Sequence, residues 1–342
     1  MAFRRKKFFI KLFNWEYWPF GIIHIPLVFM WLWYSLRERS FFYFSASNPS
    51  ILSGGMMGES KYEVLSMIPA DLKPNTLLVK VPSDVFTLEE KIVASGLRYP
   101  LIFKPDLGER GWMVRKINDR EEAQLYLKEI KIDFIAQELV DLPLEFGVYY
   151  VRFPNQEKGT VNSITGKKFL SVQGDGQKTL QELIWQDNRA LLQWDVLKTK
   201  FHQQLTQVIP EGQQVKLVSI GNHCLGTTFI NANHLITPAL NESFDRISKN
   251  INGFYFGRYD LRCASENDLE NGKVKIVELN GCGAEPSHIY HPNASLLTGM
   301  ADLIKHWKNL YRISRENHLR GVPYLSFREG RTIYKNFKAL SA

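Results

Sequence analysis

One aspartate, one glutamate and one asparagine stand on two neighbouring predicted strands of this chain. Asp260 ends Arg258-Tyr259-Asp260, and Glu278 and Asn280 lie in the run from 274 to 281. Alternate side chains of a strand share a face, so Glu278 and Asn280 point one way together, as do Arg258 and Asp260 on the preceding strand. Two carboxylates and an amide oxygen suit a hard divalent cation such as magnesium, which fills its remaining positions with water and substrate phosphates. A nucleotide bridged by that metal is the expectation. The same three residues facing solvent would be only a polar hairpin, so the reading depends on what surrounds them.

A lysine and a glycine loop come first in that surrounding. Residues 99–105 form a short apolar strand carrying Lys104, and Asp106-Leu107-Gly108-Glu109-Arg110-Gly111 leads into a second strand over 112–117. Gly108 and Gly111 allow the turn to bring backbone N–H groups close to an anion. A helix over 119–131 precedes residues 133–141, which carry Glu138, and Glu145 follows shortly after. An edge of backbone with an acid at each end suits adenosine: peptide groups meet the purine, one carboxylate its amine, the other the ribose hydroxyls. Either glutamate also reads as an ordinary surface residue.

In this order, over residues 58–292, the pieces resemble the ATP-grasp superfamily, and within it the carboxylate-amine ligases such as D-alanine:D-alanine ligase and the grasp module of cyanophycin synthetase. The resemblance implies an α+β fold with two subdomains clasping ATP. It implies Lys104, and further upstream Lys61, on the phosphates, with the Gly108–Gly111 loop closing over them. Glu138 would be the adenine-hinge acid and Glu145 the ribose acid. Asp260, Glu278 and Asn280 would be the Mg2+ ligands, with Mn2+ as a substitute, and Arg258 would stabilise the tetrahedral intermediate. Ser287 and His288 stand where the dipeptide ligases place a Ser-His that holds the incoming amino acid. The implied reaction is ADP-forming carboxylate–amine ligation through an acyl phosphate. A phosphotransferase that stops at a phosphorylated product, or a catalytically silent nucleotide-binding protein, is compatible with the same motifs.

The middle of the chain leans toward the cyanophycin-synthetase side. Residues 171–184 read as a strand end, a tight turn at Asp175-Gly176 and a helix capped by Thr179, which by themselves establish only a turn. Residues 221–228 resemble a strand that the family places beside the nucleotide. The chain departs from the dipeptide ligases at residues 281–286, where Glu285 is the notable change. A carboxylate there favours a cationic or amine-bearing acceptor; a solvent-facing loop glutamate is the plainer reading. Cys282 is not expected to act as a nucleophile.

Composition bounds the rest. The chain has 342 residues, 44% hydrophobic, with three widely spaced cysteines that indicate neither a disulfide framework nor a zinc site. Its net charge of +8 is concentrated toward the ends: Arg4, Arg5, Lys6, Lys7 and Lys11 open the chain, and the region after Arg312 is rich in arginine and lysine. With no nucleic-acid module between them, anionic lipid is the expected partner rather than nucleic acid. Residues 18–36 contain no formal charge over 19 positions, close to the roughly 20 that span a bilayer. Pro19, Gly21 and Pro26 interrupt the first half, and a single span would put the basic N-terminus opposite the ATP site, against the positive-inside tendency. A monotopic or re-entrant anchor at the cytoplasmic membrane face is therefore preferred to a true span, with a buried helix or partner surface also open.

The expected division is an anchor over 1–40, a shortened region before the grasp over 41–98, the ATP-grasp domain over 99–313 and a basic tail over 314–342. Within it, residues 41–44 are expected to begin a strand, and 299–313 to form a closing amphipathic helix. The glycine-rich stretch 54–58 is either a substrate-side segment or a linker.

Overall fold

The structure, a computed structural model, describes residues 2–108, 111–218, 221 and 226–340. It opens with α1 (Ala2–Phe13), a 3-10 turn at Trp15–Tyr17, α2 (Phe20–Ile23) and α3 (Ile25–Glu38). The uncharged run is thus broken, with Pro26 in the first turn of α3, where a missing N–H costs nothing. Among the described residues no helix is long and apolar enough to cross a membrane. Residues 41–44 are not a strand. Tyr43–Ala46 is a 3-10 turn, and Phe42 makes one isolated bridge to Leu325. Phe42, Tyr43 and Phe44 are buried in a cluster with Leu310 and Ile313, and that side-chain packing replaces a ladder.

Then come α4 (Lys61–Ser66), β1 (Thr76–Val79), α5 (Val85–Ala94), β2 (Leu101–Pro105), β3 (Arg115–Ile117), α6 (Arg120–Glu129) and β4 (Phe134–Glu138). The strands form an antiparallel sheet in the order β1-β4-β2-β3. Phe103, Phe134 and Ala136 pack beneath it with Leu88 and Ile92 of α5 and Tyr126 of α6. Alternation turns Lys104 away from that core.

A second antiparallel sheet has the order β11-β10-β5-β6-β9, built from β5 (Leu144–Val151), β6 (Thr160–Lys168), β9 (Thr228–Asn231), β10 (Phe256–Cys263) and β11 (Lys275–Asn280). Tyr259, Leu261 and Cys263 pack with Phe244 and Ile247 of α10 (Pro238–Lys249), which leaves Arg258, Asp260 and Arg262 on the opposite face. The short α11 (Glu266–Glu270) joins β10 to β11. A smaller unit pairs β7 (Ser171–Gln173) with β8 (Gln214–Lys216) around α7 (Leu180–Gln186), α8 (Asn188–Leu192) and α9 (Trp194–Lys200). As expected, Asp175 Oδ1 accepts from the Gln177 and Lys178 N–H groups, and Thr179 caps α7 in a capping box with Glu182.

The closing helix is longer than expected. α12 runs Leu296–Leu319, and the basic tail forms α13 (Phe327–Leu340). Leu27 of α3 packs with Leu303 of α12, so the N-terminal segment is docked on the C-terminal one. The architecture is α+β with antiparallel sheets, as the sequence implied.

Candidate functional site

Cross-strand register assembles the site. Asp260 lies opposite Glu278, and Arg258 opposite Asn280, across β10 and β11. The ladder shifts between Asp260 and Leu261, leaving Val277 as the extra residue of a bulge. The carbonyl freed there accepts from Lys104 Nζ at 3.0 Å and from Gln137 Nε2 at 3.4 Å, tying the two sheets together at the site. Burial pushes the Lys104 amine below its ordinary value, opposed by the charges of Glu278 and Asp260.

Arg258 is fixed on three sides. Its Nε and Nη2 donate to the two Asp260 oxygens at 3.2 and 3.0 Å, and Nη1 donates to the Glu285 carbonyl at 3.0 Å and to Ser287 Oγ at 2.9 Å. Gly147 of β5 makes room for this: a Cβ there would stand 3.2 Å from Arg258 Cδ and 3.3 Å from Asp260 Oδ1. Burial alone would push the Asp260 carboxyl up, but Arg258 and a second cation, Lys167, hold it down to about 2. Lys167 Nζ lies 3.1 Å from Asp260 and 3.1 Å from Glu145, and those two carboxylates raise it against the effect of burial. Arg262 completes the row, with Nε and Nη2 on Glu145 Oε2 at 3.0 and 2.8 Å.

The structure therefore brings Lys104, Arg258, Asp260, Glu278 and Asn280 together. Glu145, expected on ribose, is held by Lys167 and Arg262 beside Gly221. Glu138 stands apart, accepting the Asn75 N–H at 3.1 Å and lining a cavity of about 330 Å3 with Lys73, Thr76 and Lys275. That cavity contains none of the charged cluster formed by Lys104, Lys167, Arg258, Asp260 and Glu278. Lys61 Nζ donates to the Gly108 carbonyl at 2.6 Å. Gly108 and Gly111 both adopt positive φ, while Glu109 and Arg110 between them, and His223 and Cys224, lie outside the described residues.

Glu285 is neither open nor solvent-facing. His24, at the start of α3, sits 2.5 Å from its Oε1, and the Tyr290 hydroxyl donates to its Oε2 at 3.4 Å. Ser287 is buried against Arg258, whereas His288 turns to Asp302 at 3.1 Å and is lowered by burial. Stretch 54–58 docks here: the Cys282 and Gly283 N–H groups donate to the Gly54 and Gly55 carbonyls at 3.0 and 2.8 Å. A Cβ on Gly55 would stand 2.6 Å from Gly281 Cα, and its φ of +80° also requires glycine. Burial pushes the Cys282 thiol up to about 12, which leaves it inert.

Among the described residues no three His, Cys, Asp or Glu side chains are arranged to hold a metal ion, and the carboxylates Asp260 and Glu278 are joined at the site by the Asn280 amide. That amide donates Nδ2 to Asp260 Oδ2 at 3.0 Å; turned over, it presents its oxygen to the same space. With the amide turned over, Asp260, Glu278 and Asn280 are the residues whose oxygens would hold a divalent cation, in competition with Arg258 and Lys167 for Asp260.

Two residues of the cluster were missed by the sequence reading. The alternation that pairs Arg258 with Asp260 extends to Arg262, and Lys167 sits on an alternating strand; both signals were present. The contact between His24 and Glu285 spans 261 positions and left no sequence signal.

No protein-family model and no curated protein matches the sequence. Solved structures similar to it include a bifunctional glutathione synthetase from Pasteurella multocida, at 14% identity and TM-score 0.40, covering 75% of this chain and 38% of that one. A D-alanine–D-alanine ligase from Bacillus anthracis complexed with ATP is similar at 13% identity and TM-score 0.43, covering 79% and 70%. The VanG D-Ala:D-Ser ligase from Enterococcus faecalis is similar at 14% identity and TM-score 0.42, covering 76% and 62%. The chain thus spans well under half of the glutathione synthetase. Likenesses this distant leave its chemistry to be read from its own residues.

Proposed function

We propose that this chain is an ADP-forming carboxylate-amine ligase of the ATP-grasp type, acting on an amino acid or peptide. The observation that carries the reading is the convergence of Lys104 with the cross-strand pairs Asp260–Glu278 and Arg258–Asn280. A substrate carboxylate oxygen bonds to the γ-phosphorus of ATP and ADP leaves; an amine then attacks the acyl carbon and phosphate departs. Magnesium or manganese on Asp260, Glu278 and Asn280 would neutralise phosphate charge when bound. Lys104, close to Glu278 and buried, steadies the phosphates. Arg258, oriented by Asp260, the Glu285 carbonyl and Ser287, faces the oxygen that becomes negative as the amine adds, where a preorganised cation matters most. Lys61 holds the Gly108 carbonyl at the start of the glycine loop, whose role would be to exclude water from the acyl phosphate.

We further place the reaction at the cytoplasmic face of a membrane, because ATP is on that side and α1 and α3 expose large apolar side chains. The chemistry is tested by amine-dependent ADP release and by hydroxylamine trapping. An ATP-dependent hydroxamate, lost in Asp260→Ala and Glu278→Ala, is the expected result. A stable phosphorylated product without hydroxamate would make the chain a phosphotransferase, and ATP binding without turnover would make it a silent nucleotide binder.

A further inference from the structure

α3, near one end of the chain, and α13, near the other, are joined through the ring of Phe41. On α3, Ile25, Val28, Phe29, Leu32, Trp33 and Leu36 recur at intervals of three and four, the spacing of a single helix face. That face points out: Phe29 is 68% exposed, Trp33 63% and Leu36 74%, whereas Leu27 on the other side is 1% exposed. The inner face is satisfied, with Leu27 on Leu303 and Tyr34 stacked on Tyr311 at 3.9 Å, so the outer apolar stripe is surplus to folding. α1 adds exposed Phe8, Phe9, Leu12 and Phe13.

The inner side of α3 is linked to the other terminus by ring contacts. Phe41 packs edge-on to Trp31 at 4.2 Å and to Phe327, the first residue of α13, at 5.8 Å. α13 is divided lengthwise. Gly330 is buried against Phe42, with Ile333 and Phe337 half-buried on the same side. Arg328, Arg331, Lys335 and Lys338, spaced three, four and three apart, form an exposed cationic stripe on the other. Exposed Phe327 and Tyr334 lie at the boundary between the two. α13 has one acid, Glu329, against these four cations, and α1 carries five cations and no acid.

We infer that α13, α1 and the outer face of α3 form a single docking surface for an anionic phospholipid bilayer, with the rings at the acyl boundary and the α13 cations on headgroup phosphates. This deepens the membrane placement above and is independent of the ligase chemistry. Charge decides against a second copy of the chain: a self-paired surface would confront cationic helices with each other, whereas anionic headgroups complement them. The basic tail, which the catalytic reading does not use, acquires a role as the headgroup reader.

The test is flotation of the full chain with phosphatidylcholine vesicles, with and without phosphatidylglycerol. The chain should partition onto the anionic vesicles, more weakly as salt rises. Arg331→Glu with Lys335→Glu should cut that partition about ten-fold or more, and Phe29→Glu with Trp33→Glu should abolish it, all with unchanged thermal melting and ATP turnover. Quenching of tryptophan emission by brominated lipid, lost in Trp33→Phe, reads the same contact without a charge change. Equal binding to neutral and anionic vesicles, unaltered in the double charge variant, overturns the headgroup assignment. A concentration-dependent dimer dispersed by Phe29→Glu with Trp33→Glu, without vesicle binding, overturns the bilayer. Loss of turnover with vesicle binding intact would count against the ligase reading alone.

Discussion

Lys167→Met is the sharpest probe of the charged cluster. The Nζ stands 3.1 Å from both Glu145 and Asp260, and the side chain is 8% exposed, so a methionine fills the space while deleting the charge. Removing one partner of a buried pair costs about 3–5 kcal/mol when the other is stranded. Neither carboxylate is stranded here: Asp260 keeps Arg258 at 3.0 Å and Glu145 keeps Arg262 at 2.8 Å. The stability loss should therefore fall short of that range, at roughly 2 kcal/mol. Nucleotide binding should suffer more. Lys104, Lys167, Arg258 and Arg262 face Asp260, Glu145 and Glu278, an excess of one positive charge that the substitution cancels. A unit charge about 5 Å from a phosphate, at an effective dielectric near 20, contributes about 3 kcal/mol, or roughly a hundred-fold in Kd. Urea denaturation reads the first quantity and calorimetric titration with magnesium-ATP the second, with Lys167→Arg expected to retain most of the binding. A destabilised variant with parental ATP affinity would refute the reasoning and reduce Lys167 to a strut.

The remaining predictions concern two histidines. His306 is buried between the rings of Tyr149 and Phe256, and that burial, opposed by the charge of Glu285, lowers it from 6.5 to about 4. Between pH 6.5 and 4 the unfolded chain takes up the proton and the folded one does not, so stability falls as pH falls through that window. The total is roughly 3 kcal/mol. His306→Phe should flatten the pH dependence of the urea midpoint there; an unchanged slope would defeat the assignment. His24→Ala should loosen Glu285 and, through its carbonyl, Arg258. Amine-dependent ADP release should drop several-fold with ATP affinity unaltered, whereas equal loss of both would indicate general unfolding.

How much of this could be read from the chain depended on the range of each signal. Strand alternation is local, so Arg258 with Asp260, and Glu278 with Asn280, were legible as shared faces before any contact was known. The turn at Asp175 and the cap at Thr179 were legible for the same reason. What escaped is non-local or a defect in regularity. The bulge that gives Val277's carbonyl to Lys104 has no sequence mark, since it arises where β11 must pair with β10. Residues 41–44 have strand composition, but α12 offered their aromatic side chains a better packed site than a neighbouring strand would. The breaks at Pro19, Gly21 and Pro26 in the uncharged run were legible, but composition does not register that Leu27 and Phe29 face opposite ways on one helix.

Most charges of the cluster are satisfied within the protein. Apart from Glu278, the charged side chains of the cluster that a nucleotide or metal would meet already bond within the protein: Asp260 with Arg258 and Lys167, Glu145 with Lys167 and Arg262, Lys104 with the Val277 carbonyl. An unpaired buried charge would cost several kcal/mol, and the pairing of Asp260 and Glu145 with Lys167, Arg258 and Arg262 avoids that cost. Ligand entry is then an exchange of partners. In the proposed reaction, magnesium would compete with the cations at Asp260, and phosphate oxygens would take the cations so released. Metal and nucleotide should for that reason bind far better together than either does alone, because only jointly do they leave no buried group without a counter-charge.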